Sequence, residues 1–178
     1  GSYEELAKDP EVELIYVATP HSHHYECAKM CLEHGKAVLV EKAFTVNSEQ
    51  AKELVALAAE KKVFLAEAFW TRYMPVRTMV EKLLEQDVIG EITSVTASFG
   101  LALEHRERMV KPELAGGALL DLGVYPLNFA LMFIDSEMKQ ITSSAVLSPE
   151  GVDWSNSVTL TFENGCQALL HSNMRSLT

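Results

Sequence analysis

Glu41 and Lys42 stand side by side directly after the apolar run Ala37-Val38-Leu39-Val40. Four apolar residues without a polar break read as a strand buried on both faces of a parallel sheet. The carboxyl end of such a strand is the edge at which open α/β sheets bind ligands. A partly desolvated lysine ammonium at that edge can hydrogen-bond a hydroxyl and favour a nearby phenolate. The same two residues also read as a solvated charged pair that ends a strand, and such pairs contribute little. Asp121 and Tyr125 form a second pair, spaced i and i+4 so that both project from one helical face. An ionisable Asp in an apolar helix is costly unless it is paired or faces a cavity. With Lys42 beside it, Tyr125 suits acid/base work, because the ammonium stabilises the phenolate that takes part. The competing reading makes Asp121 a brace for the adjoining glycine turn and Tyr125 a core residue with a satisfied hydroxyl.

His21, His23 and His24 fall within four residues after Thr19-Pro20. Their spacing does not put three ligands on one face and no carboxylate or Cys cluster accompanies them, so no metal site is expected. Residues lining a ligand crevice, or solvated loop histidines, are the two readings left. Cys27, Cys31 and Cys166 form an odd set without framework spacing and read as reduced thiols of a cytoplasmic protein, with Cys27 and Cys31 as small packing residues on one helix. The formal charge is 15 − 25 = −10, which argues against nucleic acid or an anionic membrane as partner. No apolar run is expected to span a bilayer and no basic-plus-apolar leader opens the chain, whose Gly1-Ser2 resembles a cloning remnant.

These residues need elements to hold them. The 178 residues, nearly half of them apolar, suffice for one large domain or parts of two. Tyr3 to Lys8 reads as the end of a helix. Leu14 to Ala18 is expected to be a buried strand, and Glu26 to His34 a helix closed by Gly35. After the strand that delivers Lys42, Asn47 or Ser48 caps another helix, and Val63 to Ala66 is a third buried strand ending in Glu67. This β-α-β-α-β pattern requires parallel strands with right-handed crossovers. Beyond an irregular aromatic stretch from Ala68 to Pro75, Val76 to Gln86 is an amphipathic helix and Ile92 to Leu103 a strand. A polar loop with two arginines spans Glu104 to Ala115, and Gly116-Gly117 opens an apolar helix that runs to about Phe133. Three strands follow (Gln140 to Leu147, Val158 to Phe162, Cys166 to Ser172), with Glu163-Asn164-Gly165 as a hairpin turn that implies antiparallel pairing. The expected fold class is therefore α/β followed by α+β. Residues 1–70 would be the C-terminal half of a Rossmann-like parallel sheet, and residues 71–178 part of an α+β domain with an open, mainly antiparallel sheet.

No G-x-G-x-x-G occurs, and Gly116-Gly117 follows no strand that feeds a helix in the way a phosphate turn requires. The chain reads as starting just before the fourth strand of a dinucleotide fold. On its own it is expected to bind a dinucleotide poorly and to be inactive, because the helix terminus and glycine turn that hold a pyrophosphate are not in it.

Thr19-Pro20 through His24, Gly35-Lys36, and Val38 through Lys42 resemble the stretch ending in the Glu-Lys-Pro motif of the glucose–fructose oxidoreductase/inositol dehydrogenase (Gfo/Idh/MocA) family. Ala66 through Pro75 resembles that family's dihydrodiol dehydrogenase and NADP-dependent D-xylose dehydrogenase branch, and Gly116 through Tyr125 resembles its second motif. The resemblance covers essentially the whole chain. It implies an oxidoreductase that uses NADP or NAD to oxidise a sugar or vicinal diol, with the substrate lying between the nicotinamide and the open sheet of the second domain. Lys42 would contact the substrate hydroxyl and the nicotinamide ribose, Tyr125 would be the acid/base, and Asp121 would orient the substrate. His24, Trp70 and Arg72 would line the crevice, with Trp70 touching substrate as well as cofactor, and Thr19, Pro20 and Glu41 would touch the cofactor. Two positions depart from the pattern. Ala43 stands where the motif has proline, so the rigid and sometimes cis turn that proline provides is expected to be absent. Tyr125 stands where many relatives have His, which favours the dihydrodiol/xylose branch. Other functions open to such a chain are a non-catalytic ligand-sensing relative and a bare α/β dimerisation domain. An incomplete sheet with exposed edges also makes a homo-oligomer, a dimer or larger, the expected assembly.

Overall fold

The computed structural model describes residues 1–178. They form two units, residues 1–69 with 113–115 and residues 70–112 with 116–178.

In the first unit, β1 (Leu14–Val17), β2 (Ala37–Glu41) and β3 (Leu65–Ala68) lie parallel in the order β1-β2-β3. Ile15 pairs with Val38, and Val38 with Leu65. The helices are α1 (Tyr3–Lys8), α2 (His24–Glu33) and α3 (Ser48–Lys61). Local chemistry sets their ends. The Asn47 side chain accepts from the Gln50 N–H at 2.9 Å and starts α3. Gly35, at φ +72°, ends α2, with the Lys36 N–H reaching back to the Cys31 carbonyl at 3.0 Å and the Gly35 N–H to Leu32 at 2.9 Å. Helix α1 is a capped turn and a half: the Ser2 hydroxyl accepts from the Glu5 N–H while the Glu5 carboxylate accepts from the Ser2 N–H.

Strand β2, expected to be buried on both faces, is buried or half-buried at every position. Val38 and Val40 are fully buried against Ala28, Cys31, Leu32, Leu54 and Ala58, whereas Leu14 and Tyr16 on β1 are half exposed. Strand β3 lies two residues later than expected and takes in Glu67.

In the second unit, β4 (Ser94–Gly100), β5 (Met138–Leu147), β6 (Asp153–Phe162) and β7 (Gln167–Asn173) form a mixed sheet in the order β4-β7-β6-β5. Three strands pair antiparallel around the Asn164-Gly165 turn, where Gly165 takes φ +86°, while β4 runs parallel to β7. Helix α6 (Val124–Phe133) covers one face, packing Ala130 on Leu160, Phe162, Ala168 and Leu170. Strand β5 is exposed along its whole length. Helix α4 (Pro75–Glu85) starts on Pro75, whose fixed φ suits the first helical position. A short helix α5 (Glu107–Val110) interrupts the polar loop.

Two expectations change here. The helix expected from Gly116 to about Phe133 is present from Ala118 to Phe133, but it opens on a five-residue π turn, Leu119–Gly123, that leads into α6. Contrary to the expectation that no run could span a bilayer, Pro112–Phe133 is long and apolar enough by length and composition. Gly117 at φ +110° breaks that run, buried Asp121 lies inside it, and α6 is a core helix on the sheet.

Candidate functional site

The parallel register aligns Val17 with Val40, so Thr19-Pro20 leaving β1 and Glu41-Lys42 leaving β2 emerge at one edge of the first unit's sheet. The segment after β2 is held at three successive residues. The Glu41 carboxylate accepts from the Lys42 N–H at 3.1 Å and from the Tyr16 hydroxyl. The Ala43 carbonyl lies 2.8 Å from His24 Nδ1, and the Phe44 N–H donates to Glu67 at 2.9 Å. The Lys42–Ala43 peptide is cis although Ala43 replaces proline, which corrects the expectation from sequence.

His24 is fully buried, with its second ring nitrogen 2.8 Å from the Thr19 carbonyl. It ties the ends of β1 and β2 together instead of presenting a surface to a crevice. Glu41 likewise braces more than it offers, and its carboxylate pushes the Tyr16 hydroxyl above the usual phenol range. The Thr19 hydroxyl is buried without a hydrogen bond of normal geometry, the Cys27 thiol supplying at most a weak contact. Pro20 is exposed beside it, and the 3₁₀ turn His21–His23 follows, with His21 Nδ1 3.2 Å from the Ala115 carbonyl. The cysteines are free, and burial pushes the Cys31 thiol up to about 11.

The second unit builds its own site around Tyr125. The Trp70 indole N–H donates to the Tyr125 hydroxyl oxygen at 3.1 Å, and Phe99 meets the Tyr125 ring edge-on with centroids 5.2 Å apart. A cavity of about 570 Å³ opens here, walled by Trp70, Phe99, Pro126, Phe129 and Met132 with Thr96 and Ser98 as its polar edge. Trp70 and Arg72 sit in the 3₁₀ turn Trp70–Tyr73, where the Arg72 carbonyl accepts from Arg77 at 3.2 Å. Asp121 is buried in the π turn, and Arg108 from α5 grips its carboxylate with two N–H donors at 3.0 and 3.2 Å. Two N–H bonds to one buried carboxylate are the planar fork that arginine alone provides.

The π turn is itself anchored to the sheet. Asp153 accepts from the Leu119 N–H at 2.9 Å and from Asn156 at 2.7 Å, and Asn156 also donates to Ser172 at 2.7 Å. Burial pushes the Asp153 carboxyl above the ordinary Asp range despite these donors.

Sequence reasoning did not single out Arg108, Phe99 or Asp153. Arg108 had a usable signal: an Asp in an apolar stretch requires a cation, and the preceding loop carried two arginines. Phe99 and Asp153 had none, because only the register of β4 and β6 brings them to the helix.

Residues 78–178 match the GFO/IDH/MocA C-terminal domain, and residues 1–69 match the oxidoreductase family NAD-binding Rossmann fold. The trans-1,2-dihydrobenzene-1,2-diol dehydrogenase of Xenopus tropicalis is 42% identical over 175 residues, which is 98% of this chain and 53% of that protein. The D-xylose 1-dehydrogenase (NADP(+)) of Hypocrea jecorina is 42% identical over 91% of this chain and 46% of its own length. Among solved structures, a 3-ketoreductase from Actinomadura kijaniata in complex with NADP and TDP-benzene superposes with a TM-score of 0.90 at 32% identity, covering 99% of this chain and 55% of that one. The chain thus spans about half the length of the relatives it matches. Two family models in chain order, together with the shared architecture, establish that the chain belongs to the GFO/IDH/MocA oxidoreductase family.

Proposed function

We propose that the protein carrying this chain is an NAD(P)-dependent oxidoreductase that oxidises a hydroxyl-bearing carbon of a sugar or vicinal diol. The observation that carries the reading is the Tyr125 hydroxyl, placed at a cavity with an indole N–H aimed at its oxygen. The substrate hydroxyl proton passes to that oxygen. The oxygen takes that proton as a phenolate, and the fixed indole donor supports the phenolate beforehand without reorganisation. The Phe99, Phe129 and Met132 side chains give the cavity an apolar wall. Asp121 orients the substrate through its carboxylate, and Lys42 contacts the reacting hydroxyl through its ammonium. The names of the relatives support this reading, since they act on a dihydrodiol and on D-xylose.

The sheet edge of the first unit suits the nicotinamide end of a dinucleotide. The unmet Thr19 hydroxyl, exposed Pro20 and the braced Glu41-Lys42 stand at the carboxyl ends of parallel strands, where such ligands bind. A bound nicotinamide supplies the hydride acceptor. Trp70 and Arg72 remain proposed cofactor contacts. The His24 contribution is indirect, through the Thr19 and Ala43 carbonyls. A homo-oligomer is also proposed, supported by the uncovered edge strand β5, as is a cytoplasmic location, supported by three free thiols.

The test is to follow reduction of NADP⁺ and NAD⁺ by the whole protein with D-xylose, other pyranoses and trans-dihydrodiols. Substrate-dependent reduction with at least one of them is expected. Its absence across the panel overturns the proposal.

A further inference from the structure

We propose that Arg108 is a positioning residue of this site: its guanidinium fixes the Asp121 carboxylate in one orientation toward substrate. The proposal rests on the substrate-orienting role given to Asp121 above. The Asp121 side chain is 6% exposed and that of Arg108 43%, so the arginine reaches in from the surface to a buried anion. A carboxylate taken out of water this far requires a charge-assisted partner, and two parallel N–H bonds fix its plane.

The paired glycines explain how the arginine arrives there. The Gly117 N–H donates to the Met109 carbonyl at 2.9 Å and the Gly116 N–H to Lys111 at 3.2 Å. A Cβ on Gly116 would lie 2.5 Å from the Met109 carbonyl oxygen and 2.9 Å from that of Arg108. Backbone meets backbone there only because Gly116 lacks a side chain. Met109, the next residue, is fully buried with Ala118, Leu122 and Met174 and pins α5 against the π turn. Gly116-Gly117 therefore seats the arginine loop on the turn that bears Asp121, a use unrelated to phosphate binding.

The experiment compares Arg108→Met, Arg108→Lys, Asp121→Asn and the Arg108→Met/Asp121→Asn double variant in the whole enzyme. It measures kcat, the KM for substrate and for nucleotide, substrate affinity by tryptophan fluorescence, and melting temperature. Arg108→Met is expected to lower kcat/KM for substrate and weaken substrate binding by about tenfold or more, with the nucleotide KM unchanged. Arg108→Lys, which keeps charge but not the fork, is expected to recover part of that loss. The double variant is expected to be no worse than Asp121→Asn alone, because both changes remove one function. Losses that multiply in the double variant, or an Arg108→Lys enzyme indistinguishable from wild type, overturn the proposal, and the lysine result decides if the methionine variant does not fold. An unimpaired Asp121→Asn enzyme would instead refute the role of Asp121 on which the proposal rests.

Discussion

The Trp70 indole nitrogen lies 3.1 Å from the Tyr125 hydroxyl oxygen and donates to it. The two residues are 55 apart in sequence and join the 3₁₀ turn before α4 to the first turn of α6. Trp70→Phe keeps an aromatic wall and removes the N–H. Loss of the preorganised donor that supports the phenolate base is expected to lower kcat by about tenfold to a hundredfold. Melting temperature should change little, because Trp70 is more than half exposed. Steady-state kinetics and a thermal melt of the variant check both halves.

Lys42→Met removes the ammonium at the end of β2 and leaves the Glu41, Glu67 and backbone contacts of that segment in place. Turnover is expected to fall by at least about a hundredfold if Lys42 acts on the reacting hydroxyl. A kcat within about twofold of wild type would remove Lys42 from the chemistry.

Gly117→Ala is expected to destabilise the second unit by about 3 kcal/mol, from the strained φ and the overpacking together. Gly117 has φ +110° and its Cβ would lie 2.2 Å from Asp153 Oδ1, the carboxylate that caps the π turn. Chemical denaturation of variant and parent gives the difference directly.

Asp153 has its carboxyl pushed upward by burial, so the folded protein holds this proton more tightly than the unfolded chain does. Its contribution is complete below the ordinary Asp range and declines as pH rises through the raised value. Asp153→Asn has no such proton. The melting temperature of wild type minus that of the variant is therefore expected to fall as pH rises from about 3 to about 6. A difference that grows with pH would contradict the assignment.

Burial raises all three thiols, Cys31 to about 11. In native protein at pH about 8 these thiols are expected to react only slowly with a disulfide reagent, and Cys27, Cys31 and Cys166 should all react once it is unfolded.

Much of this architecture was readable in advance because it rests on local chemistry. Branched apolar runs marked β1 and β2, Gly35 and Asn47 marked helix ends, and Asn164-Gly165 marked the hairpin. Asp121 and Tyr125 were legible as residues but not in their setting. The i, i+4 spacing assumed an α-helix, whereas Asp121 lies in a π turn whose shape comes from Asp153, Asn156 and Ser172 on distant strands. Ala43 misled because proline is the usual reason for a cis bond, yet here contacts from His24 and Glu67 flank one that follows Lys42.

The most direct measurement is the kcat of Tyr125→Phe for oxidation of a trans-dihydrodiol or D-xylose, taken with nucleotide affinity measured separately. Removing the phenol oxygen while keeping the ring against Phe99 is expected to lower kcat by at least about a hundredfold and leave nucleotide binding unchanged. A variant that turns over within about twofold of wild type would show that the proton goes elsewhere.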